Sequence, residues 1–313
     1  MSEIKRVSIE RIDGTGVQGL IGQLRSARKP AIVTCITNTW PAFAKWTPDY
    51  FKTVHGVLKI APTIHAPSSE SPYAGPLSER VWSNYVREMT LREFVHYLYS
   101  TDKPCHFHTN IDRIPGAKDD LRFDHLLPGD AGDSDSYLWL GSNTLTGLHF
   151  DLRDNTLCQF YGEKDVYLIS PVYSNRLYPL PASITKSPVL PMRPDQSAYP
   201  RLQDITIQEG TIRPGEFLFI PKRWWHCIAA RGISISANDW FGEKVGYGEL
   251  LAAVNAGGLR HWLTVGRDFA WHGLMGRPFV TRLYDDPPFG KQLYDMIRLA
   301  VKRRLSVAER RRL

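Results

Sequence analysis

From residue 105 to residue 238 the chain is a succession of short stretches rich in β-branched and aromatic residues, broken by turn formers. Residues 105–109, 137–140, 157–161, 164–169, 217–220 and 233–238 each have the length and composition of a strand. Arg213-Pro214-Gly215-Glu216 has type II turn chemistry, and Gly162-Glu163 predicts a tight hairpin turn between two of the strands. Many short strands joined by turns argue for a closed or sandwiched antiparallel sheet. The expected fold is therefore mainly β, with helices at its flanks.

Inside this region lies Leu145-Thr146-Gly147-Leu148-His149-Phe150-Asp151. Successive side chains of an extended strand alternate faces, so His149 and Asp151 point the same way while Phe150 turns into the packing. A second imidazole, His226, would complete the 2-His-1-carboxylate face that holds non-haem Fe(II) and leaves positions open for other ligands. A His-x-Asp triplet alone is a weak signal, because a histidine in an apolar run is more often a core residue. Its weight comes from what accompanies it. Residues 105–109 alternate in the same manner and place His106 and His108 on one face.

The net charge of +7 invites a nucleic-acid reading, but the charge is concentrated at one end. From Lys302 to Leu313 there are six basic residues and one acid, which leaves +2 for the other 301 residues. A basic helix end is usually a solvated face, and no recognition motif accompanies it, so nucleic acid is not the expected partner. No run of eighteen apolar residues would span a membrane, and the first residues lack a signal-peptide core. Cys35, Cys105, Cys158 and Cys227 are scattered without a CxxC pair, as expected of reduced thiols in a cytoplasmic protein.

Before the strands, residues 17–24 predict a short helix and residues 30–36 a strand. Thr47-Pro48 begins a helix, and Thr90-Leu91-Arg92-Glu93 is a capping box that opens another. Residues 61–87 read as a long loop. The acidic run from Asp119 to Asp135 reads as a solvated loop, or as an attractor for a basic substrate. Some thirty residues from Pro171 to Pro200 form a loop too long for a compact domain without a purpose, such as a substrate lid. After the strands, residues 249–263 predict one helix and residues from Lys291 onward another. In the latter, Leu293, Ile297, Val301 and Leu305 form an apolar stripe that either packs on the barrel or pairs two chains as a homodimer. The expected division is a catalytic region, 1–245, and a helical region, 246–313.

Residues 138–171, centred on Thr146-Gly147-Leu148-His149-Phe150-Asp151, resemble the central motif of the Jumonji-C, cupin-8-like oxygenases. Residues 212–240, from Arg213-Pro214-Gly215 through Trp224-Trp225-His226 to Asn238-Asp239-Trp240, resemble that family's second motif. The N-terminal third resembles its lead-in more loosely, so the likeness covers residues 7–240. That family includes the asparaginyl hydroxylase acting on the hypoxia-inducible factor. The resemblance implies an Fe(II)- and 2-oxoglutarate-dependent oxygenase, with O₂ as co-reactant, on a double-stranded β-helix of the cupin or jelly-roll kind. It implies that His149, Asp151 and His226 bind iron. It places Lys164 on the distal carboxylate of 2-oxoglutarate with Thr146 assisting, and Asn155 and Asn238 beside metal and cosubstrate. Trp240 would shape the pocket. Where the family commonly has a tyrosine, this chain has Cys105-His106-Phe107, so His106 takes that cosubstrate position or, with His108, faces the substrate.

The physics suits these assignments. A lysine inside a barrel is costly unless paired, and a dicarboxylate supplies the partner. Asn155 can hold a ligand's orientation from behind. The expected activity is hydroxylation of an unactivated C–H bond on an amino-acid side chain of a protein or peptide. A free amino acid or a natural-product intermediate is the alternative substrate. Two readings of another class remain: a metal cupin isomerase without a 2-oxo acid, against which Lys164 and Thr146 count, and a binding protein without turnover.

Overall fold

The computed structural model describes residues 3–65, 84–127, 129, 132–243, 246–279 and 287–310. Residues 66–83 of the loop expected over 61–87, Asp130 of the acidic run and the side chain of Leu305 lie outside the described residues. The strands are β1 (Lys5–Ser8), β2 (Arg11–Asp13), β3 (Ala31–Thr34), β4 (Lys59–Ile60), β5 (Thr63–Ile64) and β6 (Met89–Thr90). They continue with β7 (Cys105–Asn110), β8 (Asp135–Ser142), β9 (Asp154–Ile169), β10 (Thr206–Ile212), β11 (Phe217–Ile220) and β12 (Trp225–Phe241). The helices are α1 (Leu20–Ala27), α2 (Pro41–Lys45), α3 (Pro48–Val54), α4 (Leu91–Ser100) and α5 (Phe123–Leu126). After the strands come α6 (Tyr247–Ala256), α7 (Leu259–Asp268) and α8 (Phe289–Arg310).

Two long antiparallel strands, β9 and β12, organise the sheet. Both change neighbours at mid-length. The first part of β9 pairs with β11 and its last part with β10, while β12 accompanies it along both parts. The end of β12 pairs with β8, whereas its start is bridged by the segment 145–149. The crossover is marked by a register break between Arg231 and Ile235 and by positive φ at Gly162 and Gly232. The sheet thus folds over itself: one layer runs β2-β3-β11-β9-β12-β8-β7-β5, and the other holds β1, β10, the far part of β9 and the near part of β12. This is a double-stranded β-helix, the jelly-roll architecture, with helices on its outside.

Side-chain alternation then sorts each strand into two environments. On β12, Trp225 and Cys227 pack outward with Phe150, Ile169 and Leu177. His226 and Ile228, between and after them, face an interior cavity. On β9, Cys158 and Phe160 join the large cluster that beds α2, α3 and α4 through Trp40, Trp46, Phe51 and Phe94. Asn155, Leu157 and Lys164 face the cavity instead. The helix starts follow their sequence signals: Thr47 accepts a hydrogen bond from the Tyr50 N–H, and Thr90 and Glu93 form a reciprocal capping box.

Several expectations change. There is no hairpin at Gly162-Glu163. β9 continues through it, because Gly162 at φ 69° lets the strand bend where a Cβ would come within 2.1 Å of the Ile233 carbonyl oxygen. The single helix expected over 249–263 is two, α6 and α7, divided at Gly257-Gly258, where Gly258 has φ 71°. The helix expected over 17–24 begins later, at Leu20, after Gly19 in a left-handed conformation. The long loop from Pro171 is no loose lid: Phe150 donates its N–H to the Thr185 carbonyl and Ser187 donates to that of Leu148, so residues 185–187 extend the second layer. Nor is the acidic run wholly solvated, since Asp120 is buried against the Trp46 indole N–H and the Lys45 ammonium. The α8 stripe splits. Leu293 packs inward beside Phe289 and Val254, while Ile297 and Val301 are 44% and 50% exposed. No helix among the described residues is long and apolar enough to cross a membrane.

Gly162 and Gly232 share a backbone conformation but not surroundings, since nothing lies within 4 Å of a Cβ built on Gly232. Gly232→Ala should cost about 1 kcal/mol of left-handed strain. Gly162→Ala should cost more than about 2 kcal/mol, because the overlap with Ile233 adds to that strain. The two denaturant midpoints, compared with that of the unaltered chain, measure the difference.

Candidate metal centre and its cavity

His149 and His226 meet as a cross-strand pair. His149 donates its N–H to the His226 carbonyl at 3.0 Å, and His226 donates back at 2.7 Å. Directly opposed residues of this kind put their side chains side by side on one face, and the two imidazole centroids are 4.2 Å apart. Asp151, two residues beyond His149, falls on the same face. Its own carbonyl accepts the Arg223 N–H, so the register holds on both sides of the carboxylate. Phe150, between them, packs edge-on against Trp225.

The ring nitrogens are assigned by what they touch. Nδ1 of His149 lies 2.8 Å from the Gly147 carbonyl oxygen, and Nδ1 of His226 lies 2.9 Å from that of Trp224. A carbonyl only accepts, so each Nδ1 carries a proton and Nε2 is the nitrogen each ring turns towards Asp151. These Nε2 atoms stand 4.0 Å and 3.6 Å from the Asp151 carboxylate, and the three ligand atoms all lie within 4.8 Å of one another. Burial, with the neighbouring His226, holds the His149 pKa below its ordinary value. Burial pushes Asp151 up, but His226, His149, Trp240 and Asn155 outweigh it and hold the carboxyl below its usual range. Two imidazoles with Nε2 turned inward and one carboxylate are the donor set that holds a divalent metal.

Behind the carboxylate stands a row of amides and indoles. Asp151 Oδ2 accepts from Trp240 Nε1 at 2.8 Å and from Asn155 Nδ2 at 3.0 Å. Asn155 Oδ1 accepts from Asn238 Nδ2 at 3.3 Å, and Asn238 Oδ1 accepts from Trp139 Nε1 at 2.6 Å. Trp240, expected only to shape the pocket, is thus a direct donor to Asp151.

The centre opens into a cavity of about 700 Å³. Lys164, 8% exposed, projects into it with its ammonium 2.5 Å from Ser236 Oγ, and no carboxylate pairs with it among the described residues. Burial alone lowers its pKa to about 7. His106 lines the same cavity, its ring beside the stacked pair of His108 and Trp139. Burial, reinforced by His108 and Lys164, drives its pKa to about 3, so it is a neutral donor or acceptor. Thr146 lines the cavity too, but its hydroxyl accepts from the Ile228 N–H and donates to the Ile228 carbonyl, so a ligand must compete for its proton. All nine residues expected at the site therefore lie around one space. Sequence reasoning missed Trp139 and Ser236, each of which looks like an ordinary strand residue until its partner is known. It also missed Leu250, Phe289, Gln292 and Met296, which wall the cavity from α6 and α8, outside the strand motifs.

A sequence profile for the cupin-like domain family matches residues 20–247. The chain belongs to that family. Among its relatives, the lysine-specific demethylase 8 of Xenopus tropicalis is 29% identical over 224 residues, which is 68% of this chain and 48% of that protein. The lysine-specific demethylase JMJ30 of Arabidopsis thaliana is 24% identical over 75% of this chain and 55% of that protein. The human bifunctional peptidase and (3S)-lysyl hydroxylase JMJD7 is 23% identical over 68% of this chain and 77% of that protein. The chain spans about half the length of the two demethylases (48% and 55%). These likenesses make it a Jumonji-C, cupin-8-like protein, from a family whose oxygenases use Fe(II), 2-oxoglutarate and O₂. The donor set of His149, Asp151 and His226 fits a ferrous ion.

Proposed function

We propose that the chain is an Fe(II)- and 2-oxoglutarate-dependent dioxygenase that hydroxylates an unactivated C–H bond, on an amino-acid side chain of a protein or peptide. The observation that carries this reading is the pairing of three convergent ligand atoms with a buried lysine that has no carboxylate partner in the described structure. His149, Asp151 and His226 would hold the metal on one face. Lys164 would hold the distal carboxylate of 2-oxoglutarate, with Thr146 and neutral His106 beside it. Metal and cosubstrate together supply the oxidising chemistry, in which C–H becomes C–OH while 2-oxoglutarate loses CO₂ and becomes succinate. The protein's share is to bind, orient and exclude water. Leu152, Ile184, Leu250, Phe289 and Met296 form the apolar side of the cavity and keep the reacting carbon dry. Relatives named as demethylases and a lysyl hydroxylase support a protein substrate. Demethylation of an N-methyl group follows from the same hydroxylation of its carbon.

The homodimer is also a proposal. Ile297 and Val301 on α8, with Trp262 and Leu263 on α7 and Leu274 and Met275 beyond it, are exposed apolar side chains on the C-terminal helices. A second copy of the chain covering them would remove that surface from water. Sedimentation equilibrium should return twice the chain mass, and Ile297→Glu should return a single chain; a monomeric unaltered chain would end this reading.

The activity is tested by incubating the iron-loaded chain with 2-oxoglutarate and candidate peptides or cell extract. The expected product is heavier by about 16 Da and formed with succinate, one oxygen atom going to each. Turnover without 2-oxoglutarate would favour the isomerase reading, and no succinate under any condition the binding-protein reading.

Cosubstrate affinity should also depend on pH in a defined direction. Free Lys164 titrates near 7, and a bound carboxylate raises that value by favouring the ammonium. Above about pH 7 binding must therefore take up a proton, so affinity falls by up to about tenfold per pH unit. Below it the ammonium is already present and affinity levels off. Lys164→Arg, charged throughout, should bind 2-oxoglutarate with no such slope, as calorimetric titration at several pH values would show.

A further inference from the structure

Asp151 Oδ2 takes one of its two hydrogen bonds from an asparagine, and an asparagine side chain has two nearly isosteric ends. Turned one way, Asn155 offers an N–H to the carboxylate; turned the other, it sets a carbonyl oxygen against it. Something must choose. Asn155 is held by Asn238, whose own amide has the same ambiguity. Both ends of the row resolve the ambiguity: the Asp151 carboxylate only accepts, and the Trp139 indole N–H can only donate. It therefore demands the oxygen of Asn238, at 2.6 Å. Asn238 must then aim its N–H at Asn155 Oδ1, and Asn155 must aim its own at Asp151. Both asparagines are buried, at 1% and 6% exposure, so water is not a ready substitute partner for either. Trp139 is itself fixed on β8 by stacking on His108, with ring centroids 4.7 Å apart and planes 14° from parallel.

We infer that Trp139 is a positioning residue of the metal centre, setting the polarity of a three-link hydrogen-bond relay that delivers an N–H to the Asp151 carboxylate. The inference rests on the reading of Asp151 as a metal ligand. It assigns Trp139 no contact with metal or substrate. With the relay in place, Asp151 Oδ2 has two donors and the carboxylate is oriented by side chains of the protein alone. Without the indole N–H the carboxylate alone holds Asn155, Asn238 is free to turn over, and a reversed Asn238 sets its oxygen against that of Asn155 and loosens the N–H on Asp151.

The test is a mutant cycle read by Co(II) titration of the full chain, Co(II) standing in for the ferrous ion. Trp139→Phe keeps a six-membered ring beside His108 and removes the donor; it should weaken Co(II) binding about tenfold. In an Asn155→Ala background, where the last link is gone, Trp139→Phe should have almost no further effect. In a Trp240→Phe background, where the other donor to Asp151 is gone, it should keep its full effect. Asn238→Ala breaks the relay one link later and should reproduce both patterns, which covers the case of a poorly folded Trp139 variant. A loss in Trp139→Phe smaller than about twofold, or one that persists in the Asn155→Ala background, overturns the relay. Failure of the unaltered chain to bind Co(II) would instead overturn the metal centre, and the relay with it.

Discussion

The molecule depends on one pair of backbone hydrogen bonds, those exchanged between His149 and His226. With flanking bonds from Thr146 to Ile228 and from Arg223 to Asp151, it holds residues far apart in sequence so that their imidazoles lie 4.2 Å apart. Because the constraint is in the backbone, it precedes any metal. The rings are then oriented by carbonyls of their own segments, Gly147 and Trp224, each two residues before its histidine. Both halves of the site thus carry the same local device: an extended chain whose earlier carbonyl takes the Nδ1 proton and turns Nε2 inward. The folding work lies in joining the two segments, and β9 does this by pairing with β12 along its whole length.

A site assembled this way sits in low dielectric, which makes every charge in it conditional. Lys164 shows this most plainly. Burial makes its ammonium costly, and Ser236 supplies an acceptor without a counter-charge. The same burial keeps His106 neutral, so the cavity avoids two adjacent cations. Asp151 is treated in the opposite way. Its desolvation is offset by His226 and His149 and by the Trp240 and Asn155 donors, so one buried anion is stabilised while the buried cation in the same cavity has no counter-charge among the described residues. This contrast, more than the presence of any single residue type, is what distinguishes the cavity from an ordinary polar core.

Much of this was legible in the sequence because strand periodicity carries it. His149, Asp151 and their shared face follow from the alternation of an extended chain, and the capping residues Thr47 and Thr90 announce their helices locally. The long-range partner His226 is not periodic with anything, and its choice as the second imidazole gains its weight from likeness to a family motif. Gly162 misled, because a glycine with positive φ looks the same in a hairpin and at a bend of a continuous strand; only the neighbouring Ile233 carbonyl distinguishes them. Trp139 and Ser236 were invisible for a related reason. Their significance lies in a hydrogen bond across strands, and no local pattern records which hydroxyl or indole will face which amide. The division near residue 245 reflects composition, which changes from strands to helices there, while the cavity draws on both sides of it.

That last point bears on how substrate and chemistry are coupled. Ile184, from the segment that extends the second layer, packs with Leu250 of α6 and Phe289 of α8, and Leu152 immediately follows Asp151. The apolar wall is therefore attached to the metal centre by one peptide bond on one side and by the Phe150–Thr185 hydrogen bond on the other. A shift of α6 or α8 that widened the wall would strain the residues that carry the carboxylate. In this chain the C-terminal helices are part of the cavity's construction. Divergence there would alter what reaches the metal while leaving the two strand motifs unchanged.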